Sequence, residues 1–231
     1  LAKKDHNLQW LDNNLNAYFI GTEAPDVGAS LMPGAGPGYK DTATCHCILF
    51  DENTEVTNDK IMRRAQEEFD KAKKLFDKPN PSKKDLRLAA FYLGAMAHYL
   101  GDLSQFMHLM GKQSHWGSED QSVHHRYEEV VDKTIDFKAR NSTLLSTFIR
   151  SRSVSGNTAK DIALSVAKFT ETGGNGTQTP GIMYKKFKKY IKDGIALDSS
   201  KWDEDFLDQT GNNVNVAANG IAKLLAKFAQ D

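Results

Sequence analysis

Residues 86–110 read LRLAAFYLGAMAHYLGDLSQFMHLM, and a dozen residues later residues 122–132 read SVHHRYEEVVD. The first stretch is apolar almost all round, through Leu88, Ala89, Phe91, Tyr92, Leu93, Met96, Ala97 and Leu100. Such a run belongs to a central, dry helix. His98 and Asp102 interrupt it four residues apart, so both side chains lie on one helical face, a turn apart. An ionised aspartate in an apolar helix is costly unless it is paired or bound to a metal. His124 and Glu128 repeat the spacing, and so do His125 and Glu129. Periodicity leaves open which of those two pairs faces inward.

Extended as an unbroken helix from 82 to about 110, the first stretch turns His108 about 600° from Asp102, away from the His98/Asp102 pair. The alternative for these residues is a set of buried hydrogen bonds in a non-catalytic helical binding protein. The ordered array of His98, Asp102 and His108 followed by His124 and Glu128 argues against it. Imidazoles mixed with carboxylates make an ordinary zinc-ligand set.

The remaining sequence supplies helices around this centre. Apolar residues recur at helical spacing over residues 7–20, where Gly21 and Pro25 are expected to end the helix and leave Asp26 in a loop. Residues 58–76 carry the stripe Ile61, Ala65, Phe69, Ala72 and Phe76. The motif 79-PNPS-82 stops that helix, and Ser82 with Asp85 forms a near capping box for the next. Further helices are expected over 122–137, 144–150, 159–170, 184–192 and 214–228. Residues 28–38 are rich in Gly and Pro and irregular. No strand pattern stands out, so the reading is all-α, one compact helical bundle spanning 1–231.

Composition narrows the function. Thirty basic and 30 acidic residues among 231 give zero net charge, with no electrostatic footprint for duplex nucleic acid. No apolar run is long enough to cross a membrane. Cys45 and Cys47 flank His46 too closely for a disulfide framework to be expected.

The motif His98-Tyr99-Leu100-Gly101-Asp102, then Gln105, Met107 and His108, then His124-His125-Arg126-Tyr127-Glu128, resembles the zinc-dependent phospholipase C family, which is kin to the S1/P1 nucleases. The match is densest over residues 84–132. The resemblance implies up to three zinc ions. Paired zincs would take His98, a bridging Asp102, His46 from a preceding loop, and Asp26, which would also be the general base. A further zinc would take His108, His124 and Glu128. The remaining ligands would be His6 and the amine and carbonyl of Leu1, where the family carries Trp. The implied reaction is hydrolysis of phosphatidylcholine-like lipids, on the glycerol side, by an exported monomer working at a membrane surface. The rival within the fold is a single-strand nuclease or 3'-nucleotidase, whose third-zinc carboxylate is typically Asp rather than the Glu found at 128.

Overall fold

A computed structural model describes residues 8–28, 32, 46–51, 53–109, 118–135 and 149–230. Leu1, His6 and Cys45 lie outside the described residues. The fold class is all-α, as the sequence reading expects. Among the described residues the helices include α1 (Gln9–Asp12), α2 (Leu15–Val27), α3 (Lys60–Phe76), α4 (Lys83–Asp102), α5 (Ser118–Ile135), α6 (Ala159–Glu171), α7 (Pro180–Lys192) and α8 (Glu204–Gln230). A two-stranded antiparallel sheet, β1 (Leu49–Phe50) and β2 (Val56–Asn58), was not expected from the sequence. Strands this short carry too few residues to show an alternating pattern.

Helix α4 is the axis. Ser82 and Asp85 form the full capping box at its start, and its residues are buried on nearly every side. One core cluster joins Leu93, Met96 and Leu100 of α4 to Ile61 and Phe69 of α3 and Ile162 and Val166 of α6. A second cluster is aromatic: Phe106, Tyr127, Phe187, Trp202 and Phe206. Each such side chain contributes about 1.5–3 kcal/mol on burial. This cluster clamps the short 3₁₀ turn Phe106–Leu109 that carries His108.

Two expectations need correction. Helix α4 ends at Asp102 rather than near residue 110. Ser104 donates from both its backbone N–H and its hydroxyl to the Gly101 carbonyl, at 2.9 and 2.6 Å, and Gln105 N–H bonds the Asp102 carbonyl at 2.9 Å. These tight local bonds replace the helical ladder, and the chain turns back so that Phe106 enters the aromatic cluster. Helix α2 continues through Gly21 and Pro25 to Val27, so Asp26 sits on its last turn and not in a loop. Gly21 is there for packing rather than termination. A Cβ on Gly21 would lie 2.0 Å from the Phe91 carbonyl oxygen, and one on Gly94 would lie 2.0 Å from that of Tyr18. Two glycines thus let α2 and α4 cross backbone to backbone.

Of the expected helix 144–150, residues 144–148 lie outside the described residues, and Ile149 and Arg150 are not helical. From Arg150 the chain runs extended along α8. Asn215 Oδ1 accepts from Arg150 N–H at 2.9 Å, and Asn219 Oδ1 accepts from Arg152 N–H at 3.0 Å. Asn219 Nδ2 donates to the Arg150 carbonyl at 2.8 Å, and Lys223 Nζ donates to that of Val154 at 2.7 Å.

The glycine crossing has a measurable consequence. Gly94→Ala forces backbone apart and should cost about 3 kcal/mol or more in a urea melt. Gly101→Ala meets no atom within 4 Å and should be neutral or stabilising by up to about 1 kcal/mol.

Candidate metal centre

The glycine crossing delivers the first ligands. Four residues beyond Gly94 on α4 comes His98, and beside Gly21 on α2 comes Thr22, whose carbonyl accepts from His98 Nδ1 at 2.9 Å. That bond sets the ring orientation and leaves Nε2 as the free lone pair. One further turn along each helix stand Asp102 and Asp26. His98 Nε2 is 3.1 Å from Asp102 Oδ2 and 3.6 Å from Asp26 Oδ1.

His46 enters through its Nδ1, which is 3.2 Å from His98 Nε2, 3.2 Å from Asp102 Oδ2 and 3.3 Å from Asp26 Oδ1. Its backbone is tied to the turn after α4. His108 Nδ1 donates to the His46 carbonyl, and Ile48 N–H donates to the His108 carbonyl at 3.1 Å. The rings of His46 and His98 both stand edge-on to the ring of buried Tyr99, at 5.2 and 5.5 Å, and Arg64 donates to the Tyr99 hydroxyl at 3.3 Å.

The second group forms across the turn. His124 Nε2 lies 2.8 Å from Glu128 Oε1 and 3.1 Å from His108 Nε2. Gln105 Nε2 donates to the same Glu128 oxygen at 3.2 Å. Of the two doublets on α5, His124/Glu128 is the inward one. His125 is exposed, with 74% of its side chain accessible, and Glu129 pairs with Lys133. Asp102 stands between the groups, its Oδ1 3.8 Å from His108 Nε2. The expectation that His108 faces away from the first pair therefore fails. It rested on a continuous helix, and the helix ends at Asp102.

These spacings fit metal ions. Zinc bonded to N or O at about 2.0–2.2 Å in a tetrahedron holds its ligands roughly 3.3 Å apart. The ligand atoms of Asp26, His46 and His98, and those of His108, His124 and Glu128, lie within 4.8 Å of one another in each set. Asp102 Oδ2 is buried, has no hydrogen bond of good geometry among the described residues, and has two ring nitrogens within 3.2 Å of it. The ring nitrogens of His46 and His98 thus converge on one carboxylate oxygen. The sequence reading named Asp26, His46, His98, Asp102, His108, His124 and Glu128 as ligands, and the structure places them in two neighbouring groups with Asp102 between. It missed the Thr22 carbonyl and the Gln105 amide, neither of which is marked by residue type or short-range spacing.

Electrostatics of the metal-free constellation agree. Burial would lower the His46 imidazole, but contact with Asp102 and Asp26 outweighs it and lifts the pKa to about 10. Burial raises the Asp102 carboxyl, yet His98 and His108 hold it well below the usual carboxylate range. Burial also raises Glu128, and His108 and His124 more than reverse that. In contrast, burial pushes the His124 ring down, which favours the neutral, ligating form.

Cys47 is disulfide-bonded, against the expectation of no disulfide framework. Cys45, the chain's other cysteine, lies outside the described residues.

Zinc and protons compete for the same imidazoles, so the centre has a signed pH dependence. Without metal, the raised pKa of His46 stabilises the fold fully below about pH 6.5. That contribution fades as the pH rises toward 10. Zinc binding instead strengthens over the same range. The gap in melting temperature between zinc-loaded and chelator-treated protein should widen from pH 6 to pH 8, measured by calorimetry. His108→Ala should lower the zinc content found by elemental analysis by about one ion per chain.

The comparisons with known proteins agree with this chemistry. Residues 1–210 match the family model described as "Zinc dependent phospholipase C". Two proteins of Bacillus cereus, each called phospholipase C, are 34% identical to this chain over 98 residues. The alignment covers 42% of this chain and 34% of each relative, so the chain spans about a third of the length of the curated relatives it matches. With 210 of its 231 residues inside the family model and the zinc-type ligand groups in place, the chain belongs to the zinc-dependent phospholipase C family.

Proposed function

We propose that this chain is a phospholipase C. It hydrolyses the glycerol-side phosphodiester of phosphatidylcholine-like lipids to diacylglycerol and a phosphorylated head group. The carrying observation is the pair of ligand groups joined through Asp102, with Asp26 at the solvent edge. The Asp26 side chain is 60% exposed, against 8% for Asp102. The family membership and the Bacillus cereus relatives support the lipid substrate over a nucleic acid, and Glu128 in place of Asp agrees with them.

When bound, zinc supplies neutralisation of the phosphate charge and makes a water acidic enough to deprotonate near neutral pH. The full complement is three ions, of which the described residues would hold two. His98 and His46, oriented by Thr22 and by the tie between residues 46–48 and His108, fix the first group. Gln105 and His124 hold Glu128 in the second. Asp26, reachable from solvent and 3.3 Å from His46, accepts the proton of the attacking water. The water oxygen forms the new bond to phosphorus, the bond from phosphorus to the glycerol oxygen breaks, and that oxygen takes a proton from solvent as diacylglycerol leaves.

We place the enzyme outside the cell as a monomer that visits lipid surfaces. The disulfide at Cys47 suits an oxidising compartment. No helix among the described residues is long and apolar enough to cross a membrane.

Asp26→Asn should reduce turnover of a short-chain phosphatidylcholine by about 10²–10⁴-fold, measured with zinc in excess so that the first ligand group stays loaded. Near-normal turnover in that variant would remove Asp26 from the role of base. Assays of the same preparation on single-stranded DNA should show no comparable rate, and a faster nuclease rate would reverse the assignment.

A further inference from the structure

A cavity of about 420 Å³ opens directly off the metal centre, within the size range of small-molecule sites. Its walls differ. One is polar and comes from α4 and the turn after it: His98, Asp102, Ser104 and Gln105. The other is apolar, from Val131 of α5, Ile149, and Val214, Ala217, Ala218 and Ile221 of α8. The α8 residues recur at helical spacing and form one stripe toward the cavity.

The wall at Ile149 is held in place. The next residue, Arg150, has both its N–H and its carbonyl bonded by Asn215 and Asn219 of the same helix. Ile149 and the α8 stripe therefore behave as one surface.

We propose that this cavity binds one acyl chain of the lipid substrate, an inference that rests on the phospholipase C reading. A phosphodiester seated between the two ligand groups has two arms. The apolar wall offers no carboxylate to a cationic head group, and the carboxylate of Asp102 is committed to the histidines around it. A hydrocarbon chain needs no polar partner and gains about fourfold in binding for each methylene fully buried. The diacylglycerol arm thus points along α8, and the head group points out of the cavity. Ala218, at the partly exposed part of the stripe, sets how much chain fits.

The test uses phosphatidylcholines with acetyl, butyryl and hexanoyl chains, each below its critical micelle concentration. In the wild type, kcat/KM should rise with chain length. Ala218→Phe should cut the hexanoyl-to-acetyl ratio at least tenfold while the acetyl substrate stays within about twofold. An unchanged ratio in a folded Ala218→Phe protein overturns the proposal, and so does an equal loss on all three substrates. Should that variant fail to fold, Ile221→Ala, which removes bulk, serves instead. It should shift the preference toward longer chains, and no shift overturns the proposal. Dihexanoylglycerol binding by titration calorimetry separates this inference from the activity. Binding to the wild type that is lost in Ala218→Phe, with no phospholipid turned over, upholds the cavity and rejects the phospholipase reading. Turnover of all three lipids with no chain-length dependence upholds the activity and rejects the cavity.

Discussion

A carboxylate sealed at the end of an apolar helix must be neutralised, and the described structure is arranged to do it. Asp102 is buried and stands within 3.8 Å of three imidazoles brought from three places in the chain. His98 comes from its own helix, His46 from the segment before the small sheet, and His108 from the turn that follows. A lone buried carboxylate would be protonated or would disrupt the core. With three imidazoles around it, it is held ionised instead. The helix crossing at Gly21 and Gly94, the early end of α4 and the aromatic clamp around Phe106 all serve to bring those groups within reach.

The order of cause runs from backbone to chemistry. Two glycines permit the close crossing. The crossing puts a carbonyl against a histidine ring and so decides which nitrogen is free. Helical spacing then repeats the offset on both helices, setting Asp26 over His98 and Asp102. The second group depends on side-chain packing instead. Phe106 is buried among Tyr127, Phe187 and Phe206, and that anchors the turn whose next residues include His108. The two halves of the centre therefore rest on different physics, one on backbone approach and the other on aromatic burial.

Much of the centre was legible in the sequence because helical spacing is a local rule. The pairs His98/Asp102 and His124/Glu128 follow from counting four residues. Asp26 and His46 were reached only through the family resemblance, since no local rule ties them to α4. Counting failed at His108, because Ser104 and Gln105 close the helix with tighter turns that a periodicity argument does not see. It failed at Gly21 and Pro25 for the opposite reason, since tertiary packing carried a helix through residues that usually end one. The extended segment after Ile149 and the cavity beside it were invisible, because their defining bonds join residues 65–69 positions apart.

That segment has a geometric basis. Four residues of helix advance about 6.0 Å, and two residues of extended chain advance about 6.6 Å. Asn215, Asn219 and Lys223 therefore meet Arg150, Arg152 and Val154 in step, and a helix takes the place of a neighbouring strand. The mismatch of about 0.6 Å per rung accumulates along the run. The first two rungs use short, stiff asparagines, and the third uses a lysine long enough to absorb the drift. Such a surrogate sheet edge is self-limiting in length and fixes the register, since a slip of one residue would turn the bonded N–H and carbonyl groups away from the helix.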